Sequence, residues 1–355
     1  MKIKCREIVK ALVDINNINI NVADMLWTAF SYIDIFSFEA IKELQSLGKS
    51  ESEAIIDILY DFYQLNRDDL DNVRIMDLYF LNNLKKLDPE QYLNNPYVKA
   101  VTTEGKRGQY ALKYFNYAPY QLFAYDEIKV DYHYQEMSSI GYFVKPFSYL
   151  ALTQNDHIWM SLNPNEIETM KPFIKNGKGN VLTLGLGMGY FPYMLALKKE
   201  VKQITIIEQD PHIIKIFNEL ILPSFTNAHK ITIIKDEALA YLRKNKKGQH
   251  YDYIFADLWH NPVDGLQTFI ALKKLNLNIE CWLETSFIAL LRRQMIILLE
   301  EQLEGKGDNA YRYAKTYGDK MINHFYHKTK DLVLETAADV ENLLSSENLL
   351  KLALN

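Results

Sequence analysis

The feature that most constrains the fold is a regular alternation of short apolar runs and helical patterns between residues 163 and 290. Apolar runs buried on both faces are typical of parallel strands, and strand–helix alternation at this spacing favours a parallel sheet covered by helices. The sequence therefore predicts an α/β domain over 163–290. The predicted strands are VLTLG, ITIIE, ITIIK, YDYIFAD and ECWLE, and the predicted helices span 163–174, 189–199, 211–221, 238–247 and 265–275.

The two ends of the chain have a helical pattern instead. Residues 1–105 have helical periodicity and capping signals, including Ser50 and Glu53 at capping-box spacing. The residues after Thr285 are again helical in pattern. We therefore predict an N-terminal helical domain at 1–105 and a helical C-terminal extension at 291–355, on either side of the other segments.

The segment 106–162 is rich in tyrosine and contains β-prone runs such as DEIKVDYHY and GYFVKPFSYLAL. Its last part, LALTQNDHIWMSL, predicts a hairpin that turns at Asn155 and Asp156. We predict a small β-hairpin region at 106–162. Its tyrosines have two interpretations, packing between strands or an aromatic wall for a substrate pocket.

Composition excludes several classes of protein. The chain has 355 residues, 48% of them hydrophobic, and a net charge of −5, so it is not disordered and gives no sign of wholesale phosphate binding. Cys5 and Cys281 lie too far apart in sequence to indicate a disulfide framework or a metal site. No run approaches the ~18 apolar residues of a membrane helix, and the N-terminus does not have a signal-peptide pattern. We therefore expect a cytoplasmic protein without a metal or a membrane contact.

A glycine turn follows the first predicted strand. VLTLGLGMGY places Gly185, Gly187 and Gly189 between a strand and a helix, where the backbone can turn tightly and approach a ligand. The dinucleotide fingerprint requires a glycine where Tyr190 stands, and the lysine of a phosphate loop is absent. The pattern that remains, G-x-G-x-G, is weak evidence when it is taken alone.

Acidic residues end the next three strands. Glu208 ends the second strand, where a carboxylate can accept hydrogen bonds from both hydroxyls of a ribose. Asp236, followed by Glu237, ends the third strand within reach of an adenine amino group, and Asp257 ends the fourth. Ligands of open α/β sheets bind at these ends, so the set predicts a nucleoside-containing ligand. The alternatives are structural, because Asp236 can cap a helix, Asp257 can form an Asx-turn, and Asp210 is predicted to cap the helix at 211–221.

Together these residues resemble the class I S-adenosylmethionine-dependent methyltransferase fold over residues 178–290. The resemblance is carried by LGLGMG, the acid Glu208, the KDEAL segment and ADLW. The arrangement is most similar to the spermidine-synthase-like branch, which also has β-hairpins before the domain. The resemblance implies S-adenosylmethionine as cofactor, bound by Gly185, Gly187, Gly189, Glu208, Asp236, Glu237 and Asp257.

Two departures from the aminopropyltransferase pattern favour methyl transfer over polyamine synthesis, and one residue departs from the methyltransferase pattern itself. Thr183 stands where many methyltransferases have an acid, and Met188 stands where aminopropyltransferases have the acid that holds the amine end of their cofactor. His260 stands near the position of their second strand-four acid. After Glu284 we find no pattern for the sixth and seventh strands of a methyltransferase, so the sheet is either truncated or completed by the Tyr-rich region.

The expected activity is methyl transfer to a small-molecule acceptor. Asp257 is expected to position the acceptor, and His260, whose usual pKa suits a base, is a second catalytic candidate. Trp259 and Trp159 are candidates for stacking on a ligand or closing the pocket. The alternatives are an aminopropyltransferase and a non-catalytic cofactor-binding regulator. For the N-terminal helices we expect a homodimer contact rather than nucleic-acid binding, because the helix that begins at Glu51 is acidic and would repel phosphate.

Overall fold

The protein is a mixed α/β protein. It is described here from a computed structural model, which covers residues 1–32, 35–245, 251–306 and 315–355. In these ranges, no helix is both long and apolar enough to cross a membrane.

The first hundred residues are mostly helical. The capping box predicted at Ser50 is confirmed: the Ser50 hydroxyl accepts a hydrogen bond from the Glu53 N–H, and the Glu53 carboxylate accepts one from the Ser50 N–H. A turn of π-helix over Met76–Phe80 interrupts the helical run and leads into a short strand. The elements are β1 (Lys2–Ile3), α1 (Arg6–Ser31), α2 (Phe38–Ser46), α3 (Glu51–Phe62), α4 (Leu70–Ile75), β2 (Leu84–Lys86), α5 (Pro89–Leu93) and α6 (Pro96–Ala100).

The Tyr-rich segment forms short strands. Those strands are β3 (Gly105–Arg107), β4 (Tyr110–Tyr117), β5 (Phe123–Ala124), β6 (Lys129–Val130), β7 (Glu136–Met137), β8 (Ile140–Tyr142), β9 (Phe147–Gln154) and β10 (His157–Ser161). Four of them make an antiparallel sheet in the order β10-β9-β4-β3. The predicted hairpin is confirmed, since β9 and β10 are joined by Asn155 and Asp156, whose φ angles are 50° and 64°. Two positive φ angles in a two-residue loop match the right-handed twist of the strands.

The next segment contains a five-stranded sheet in which all neighbours are parallel. The order is β13-β12-β11-β14-β15, which is the 3-2-1-4-5 order of a doubly wound sheet. All five predicted strands are confirmed. The elements are α7 (Pro164–Asn176), β11 (Gly179–Leu184), α8 (Tyr190–Ala196), β12 (Val201–Glu208), α9 (Pro211–Ile216), β13 (Ile231–Lys235), α10 (Ala238–Asn245), β14 (Tyr253–Ala256), α11 (Pro262–Lys273) and β15 (Ile279–Cys281).

Several predicted helices of this domain have different bounds, and α8 ends at Ala196 instead of residue 199. α11 begins three residues earlier than predicted, because Asn261 accepts hydrogen bonds from the N–H groups of Val263 and Asp264 and Pro262 occupies the first helical turn. The helix predicted at 211–221 is α only to Ile216 and continues as a π turn to Ile221. The last two residues of the helix predicted at 238–247 lie outside the described residues.

The C-terminal part is helical, as predicted. Its elements are α12 (Glu284–Leu303), α13 (Tyr317–Thr329), β16 (Val333–Leu334), α14 (Ala337–Leu344) and α15 (Ser346–Leu354). In the described part of residues 285–355, the one strand, β16, pairs with β1 and does not join the five-stranded sheet. The Tyr-rich strands pair with one another or with β2 and not with the parallel sheet, so the alternative that they complete it was wrong, and the sheet has five strands within the described residues.

Two apolar cores cover the two faces of the parallel sheet. The first, called here the hairpin-side core, joins the sheet to α7, α8 and the β4–β9 sheet, and includes Leu150, Ile167, Val181, Phe191 and Phe255. The second, the tail-side core, joins the opposite face to α11–α15 and includes Leu182, Leu184, Ala256, Phe269 and Leu298. Alternate residues of β11 enter opposite cores, as the two-residue period of a strand requires.

Helix α1 takes part in two cores. Near its N-terminus, Val9 and Val13 are buried in the tail-side core, and α1 packs along α12. Further along, Val22 and Leu26 are buried in a third core with α2, α3 and β8. The first helix therefore joins the N-terminal helices to the C-terminal ones.

Candidate active site

A cavity of about 660 Å³ lies where β11, β12, β13 and β14 end. Six of the predicted site residues line it: Gly185, Gly187, Glu208, Asp236, Glu237 and Asp257. The catalytic candidate His260 lines it as well. The carboxyl ends of parallel strands meet at one edge of a sheet, which is why residues up to 75 positions apart reach one space.

The glycine turn is built as its spacing predicts, with one exception. Gly185 has φ +98°, and a Cβ at this position would lie 2.0 Å from the carbonyl oxygen of Asp257. Only glycine fits so close to a neighbouring backbone. Gly189 does not line the cavity. It is the N-cap residue of α8, and its backbone packs against the ring of Phe217, so its role is in packing the turn.

Glu208 holds the glycine turn in addition to facing the cavity. Its Oε2 accepts a hydrogen bond from the Leu186 N–H at 3.2 Å, and its Oε1 accepts one from the Asp210 N–H at 2.8 Å. Burial raises the pKa of this carboxyl, and hydrogen bonds from the N–H groups of Asp210, Leu186 and Gln209 oppose that shift. A carboxylate has about four acceptor positions, so Glu208 keeps acceptor capacity for a donor from the cavity.

The two acids after β13 have structural partners. Asp236 accepts hydrogen bonds from the Glu237 N–H and, at 3.1 Å, from Lys244 Nζ, and the bond to Lys244 lowers the pKa of Asp236. Glu237 accepts hydrogen bonds from the N–H groups of Leu239 and Ala240 at the start of α10. The helix-capping role predicted as an alternative for Asp236 therefore belongs to Glu237. Lys246, Lys247 and Gly248, which follow α10 in the sequence, lie outside the described residues.

Asp257 faces a second carboxylate that the sequence did not single out. Glu166, in the first turn of α7, also lines the cavity. Burial raises the pKa of Asp257 to about 7. Burial and then the charge of Asp257 raise the pKa of Glu166 well above its usual range. The sequence shows Glu166 as the third residue of a capped helix, a pattern with a structural meaning of its own, so no local signal distinguishes it.

Aromatic side chains close the mouth and the floor of the cavity. Trp159 on β10 meets the ring of His260 edge-on, with centroids 4.4 Å apart, and both rings line the opening. Trp259 is buried in the tail-side core and packs edge-on against Phe287, so it closes the cavity rather than offering a free stacking face. Its indole N–H has no hydrogen-bond partner among the described residues.

The tyrosines of the β-hairpin region mainly pack between strands. Of the nine crowded into that segment, all of them described, Tyr110 lines the cavity. Its hydroxyl donates to Asp210 Oδ2 at 2.8 Å and accepts from Gln154 Nε2 at 3.0 Å. Asp210 caps α9 through the His212 N–H, as predicted, and it also faces the cavity. Packing between strands therefore accounts for most of these tyrosines, and of the nine only Tyr110 forms part of an aromatic wall of the cavity.

The charges around the cavity have one sign. Its lining includes six carboxylates, and no lysine or arginine belongs to the lining in the described ranges. The carboxylates are Glu166, Glu208, Asp210, Asp236, Glu237 and Asp257. Such a surface attracts cations and repels phosphate and other anions.

Two solved structures that are similar to this chain are distant from it in sequence. No protein-family profile matches the chain, and no curated protein matches its sequence. A protein from Klebsiella pneumoniae assigned as an O-methyltransferase is 20% identical, with a TM-score of 0.24, over 30% of this chain and 47% of its own length. The spermidine synthase from Thermotoga maritima is 13% identical, with a TM-score of 0.27, over 49% of this chain and 52% of its own length. This chain thus spans about half the length of either protein, and function has to be inferred from the cavity itself.

Proposed function

We propose that the protein is an S-adenosylmethionine-dependent methyltransferase that acts on a small-molecule acceptor. The observation that carries this proposal is the convergence on one cavity of a glycine turn and three strand-end acids in a 3-2-1-4-5 parallel sheet. The lack of lysine and arginine in the described lining argues against an anionic acceptor, including nucleic acid.

The residues present are suited to the cofactor. Gly185 and Gly187 leave backbone without side chains at the cavity wall. Glu208 has acceptor capacity left for ribose hydroxyls, and Asp236 and Glu237 lie at the next strand end, on the side assigned to adenine. Bound S-adenosylmethionine supplies a methyl group on a sulfonium, which is reactive without further activation by the protein.

The chain's own residues then orient the acceptor and handle its proton. Asp257 lies at the end of β14, on the opposite side of the glycine turn from Glu208, and its raised pKa suits proton transfer near neutral pH. His260, at the opening, is a second group that can pass a proton to solvent. Trp159 and Trp282 bound the space in which an acceptor would be aligned, and alignment supplies much of the rate in such a displacement.

A second candidate function is aminopropyl transfer from decarboxylated S-adenosylmethionine. It is favoured by the absence of lysine and arginine from the described lining, since the carboxylate of intact S-adenosylmethionine then has no cationic side chain to meet. Backbone N–H groups of the glycine turn can bind that carboxylate instead, so we rank methyl transfer first.

Ligand binding separates the two functions. We expect S-adenosylmethionine at 100 times its dissociation constant to stabilise the fold by about 2.7 kcal/mol, measured as a shift in Tm and as binding heat. A stronger response to the decarboxylated compound would reverse the ranking, and no response to either compound, with binding of NAD instead, would refute both functions.

The ribose assignment has its own test. Glu208→Gln is expected to weaken S-adenosylmethionine binding by about tenfold to a hundredfold, because a hydrogen bond to a charged group contributes about 1.5–3 kcal/mol. Glu219→Gln is the matched control, since Glu219 pairs with Arg107 at the surface and does not line the cavity. Equal affinities for the two variants would show that the ribose binds elsewhere.

A further inference from the structure

Two side chains hold the backbone of the glycine turn, and they come from different parts of the chain. Glu208, at the end of β12, accepts a hydrogen bond from the Leu186 N–H at 3.2 Å. Tyr97, in α6, donates a hydrogen bond from its hydroxyl to the Met188 carbonyl oxygen. Tyr97 belongs to the N-terminal helical region and does not line the cavity, so it reaches the turn from outside the site.

The ring of Tyr97 is fixed by its surroundings. Its side chain is fully buried, and it meets the rings of Tyr190, Tyr193 and Phe225 edge-on, with centroids 5.6, 5.3 and 6.2 Å away. Burial raises the pKa of the Tyr97 phenol, so the hydroxyl keeps its proton at neutral pH. Because a carbonyl oxygen can only accept, Tyr97 is the donor to Met188.

Helix α6 is joined to α8 by further hydrogen bonds. Asn95, the N-cap residue of α6, accepts a hydrogen bond from the Tyr97 N–H at 2.9 Å and donates one from Nδ2 to the Tyr190 hydroxyl at 3.0 Å. The Tyr193 hydroxyl donates to the Pro96 carbonyl at 3.3 Å. The short helix that contains Tyr97 is therefore held against the helix that follows the glycine turn.

The peptide unit between Met188 and Gly189 is held at both of its polar groups. Its carbonyl accepts the hydrogen bond from Tyr97, and its N–H, that of Gly189, donates to the Leu186 carbonyl at 2.9 Å. The ring of Phe217 packs against Gly189 and leaves no space for a Cβ there. This planar unit cannot rotate without breaking one of the two hydrogen bonds.

Two N–H groups of the same turn remain without a partner. Among the described residues, none accepts a hydrogen bond from the N–H of Gly187 or from that of Met188, and both residues line the cavity. Gly187 and Gly189 have φ angles of 55° and 77°, whereas Met188 between them does not have a positive φ. Successive N–H groups on backbone of alternating handedness form a concave site that binds anions.

We propose that Tyr97 is a positioning residue that holds the Met188 carbonyl and thereby keeps the N–H groups of Gly187 and Met188 in place to bind the carboxylate of S-adenosylmethionine. The peptide units on either side of Met188 meet at its Cα, so holding one restricts the other. The inference rests on the proposed function and deepens it, because it gives the N-terminal helical region a part in the cofactor site.

The first experiment tests the contact without any ligand. Amide hydrogen exchange is measured by mass spectrometry on overlapping peptides that isolate Gly189, whose N–H is protected by its bond to Leu186. Tyr97→Phe keeps the ring and removes the hydroxyl. We expect it to speed exchange at Gly189 by about threefold to tenfold, the effect of losing one neutral hydrogen bond.

Tyr253→Phe is the matched control for this measurement. Tyr253 is also buried, and its hydroxyl donates to Glu280 Oε2 at 2.6 Å, but it lies at the start of β14 and does not line the cavity. Exchange at Gly189 should be unchanged in this variant. If Tyr97→Phe exchanges at the wild-type rate, or if Tyr253→Phe accelerates exchange equally, Tyr97 does not hold the turn and the proposal is wrong.

The second experiment distinguishes a positioning role from general support of the fold. S-adenosylmethionine and its decarboxylated form differ only in the carboxylate, and both are titrated by calorimetry into the wild type, Tyr97→Phe and Tyr253→Phe. We expect Tyr97→Phe to weaken S-adenosylmethionine by about threefold to tenfold and to leave the decarboxylated compound unchanged. Equal weakening of the two compounds, or weakening of neither, would overturn the proposal.

A second variant, Asn95→Ser, changes the same contact at a different point. Serine can still cap α6 by accepting from the Tyr97 N–H, but the hydrogen bond to Tyr190 is lost. We expect the same selective loss of S-adenosylmethionine affinity, smaller in size. If Tyr97→Phe does not fold, Asn95→Ser decides the matter by the same criterion.

Failure of this inference differs from failure of the proposed function. A wild type that binds S-adenosylmethionine with the predicted dependence on Glu208, but whose affinity does not respond to Tyr97→Phe, retains the transferase and refutes the positioning role. A wild type that binds only the decarboxylated compound refutes the carboxylate assignment and favours the second candidate function. A wild type that binds neither refutes the transferase and the carboxylate assignment together, and the exchange rates alone then decide whether Tyr97 holds the turn.

Discussion

Two helix starts in this molecule have nearly the same sequence pattern and opposite chemistry. α3 begins with Ser50 and has Glu53 at its third position, whereas α7 begins with Asn163 and has Glu166 at its third position. At the surface, hydrogen bonds from Ser50 hold the pKa of Glu53 below its usual value. In the cavity wall, burial and Asp257 raise the pKa of Glu166. The N-cap residue determines where the helix begins, whereas burial and neighbouring charges determine the pKa of the acid at its third position.

A similar difference separates a glycine that precedes α3 from a glycine in the wall of the cavity. Gly48 precedes α3 with φ +91° and has no atom within 4 Å of the place where a Cβ would stand. Gly185 has a similar φ of +98°, but a Cβ there would overlap the Asp257 carbonyl oxygen. A glycine with this backbone conformation can therefore be replaced at modest cost in stability at position 48, but not at position 185.

The largest expected effect separates these two glycines. Gly185→Ala should destabilise the fold by at least about 3 kcal/mol and remove S-adenosylmethionine binding, because the new methyl group has to displace a backbone carbonyl. Gly48→Ala should cost only about 1 kcal/mol, the penalty of a left-handed residue with free space around it. Urea denaturation and calorimetry measure both quantities. Equal losses in the two variants would show that the close approach at Gly185 has no importance.

The next effect concerns catalysis. Glu166→Gln should lower kcat by about a hundredfold to ten-thousandfold, since Glu166 lines the cavity and removing a proton-transfer group typically has effects of that size. Glu53→Gln, at the matching position of α3, should leave kcat unchanged. Initial rates of methyl transfer over a range of pH provide the test, and a normal rate for Glu166→Gln would leave Asp257 as the sole carboxyl in the reaction.

The dependence of stability on pH should have opposite signs at the two acids. A carboxyl whose folded pKa is raised binds more protons in the folded state, so its contribution to stability falls as pH rises from about 4 to the folded pKa, about 7 for Asp257. Glu166→Gln should therefore raise Tm at pH 8 and have little effect at pH 4. Glu53 has a lowered pKa, so its contribution is present above its unfolded pKa and is lost in acid, and Glu53→Gln should lower Tm at pH 8.

Thermal melts of the two variants and the wild type at pH 4, 6 and 8 distinguish these outcomes. The prediction depends on the sign of the change in Tm and not on its size. If Tm depends on pH in the same way in both variants, Glu53 at the surface and Glu166 in the cavity do not differ as expected.

The smallest expected effect concerns the caps themselves. Ser50→Ala and Asn163→Ala should each cost about 1 kcal/mol of stability, because each removes an N-cap hydrogen bond. Asn163 also donates a hydrogen bond to the Tyr117 hydroxyl, so Asn163→Ala should cost somewhat more stability than Ser50→Ala. Unfolding in urea measures both losses, and equal losses would show that the hydrogen bond to Tyr117 adds nothing to stability.

The sequence contained enough information for the sheet and for much of the cavity wall. Short apolar runs, typical of strands buried on both faces, identified every strand of the parallel sheet, and the rule that ligands bind at strand ends placed Glu208, Asp236 and Asp257 at one cavity. These features depend on local sequence patterns and on one topological rule, so they can be predicted from one sequence.

Other features depend on tertiary contacts that leave no local mark. Glu166 reads as a capping acid, and only the packing of α7 on the sheet turns it toward Asp257. Gly189 fits the ligand-binding pattern as well as Gly185 does, yet it packs against Phe217. The pairing of β1 with β16 joins two-residue strands that are more than 300 positions apart, too short to show any periodicity.

The two-core position of α1 has a consequence for synthesis on the ribosome. Val9 and Val13 find their packing partners in helices that are translated last, including α12. At about 5–20 residues per second, α1 waits for those partners for on the order of ten seconds or more. During that interval its apolar stripe is exposed to chaperones, so this protein should depend on them more when translation is slow.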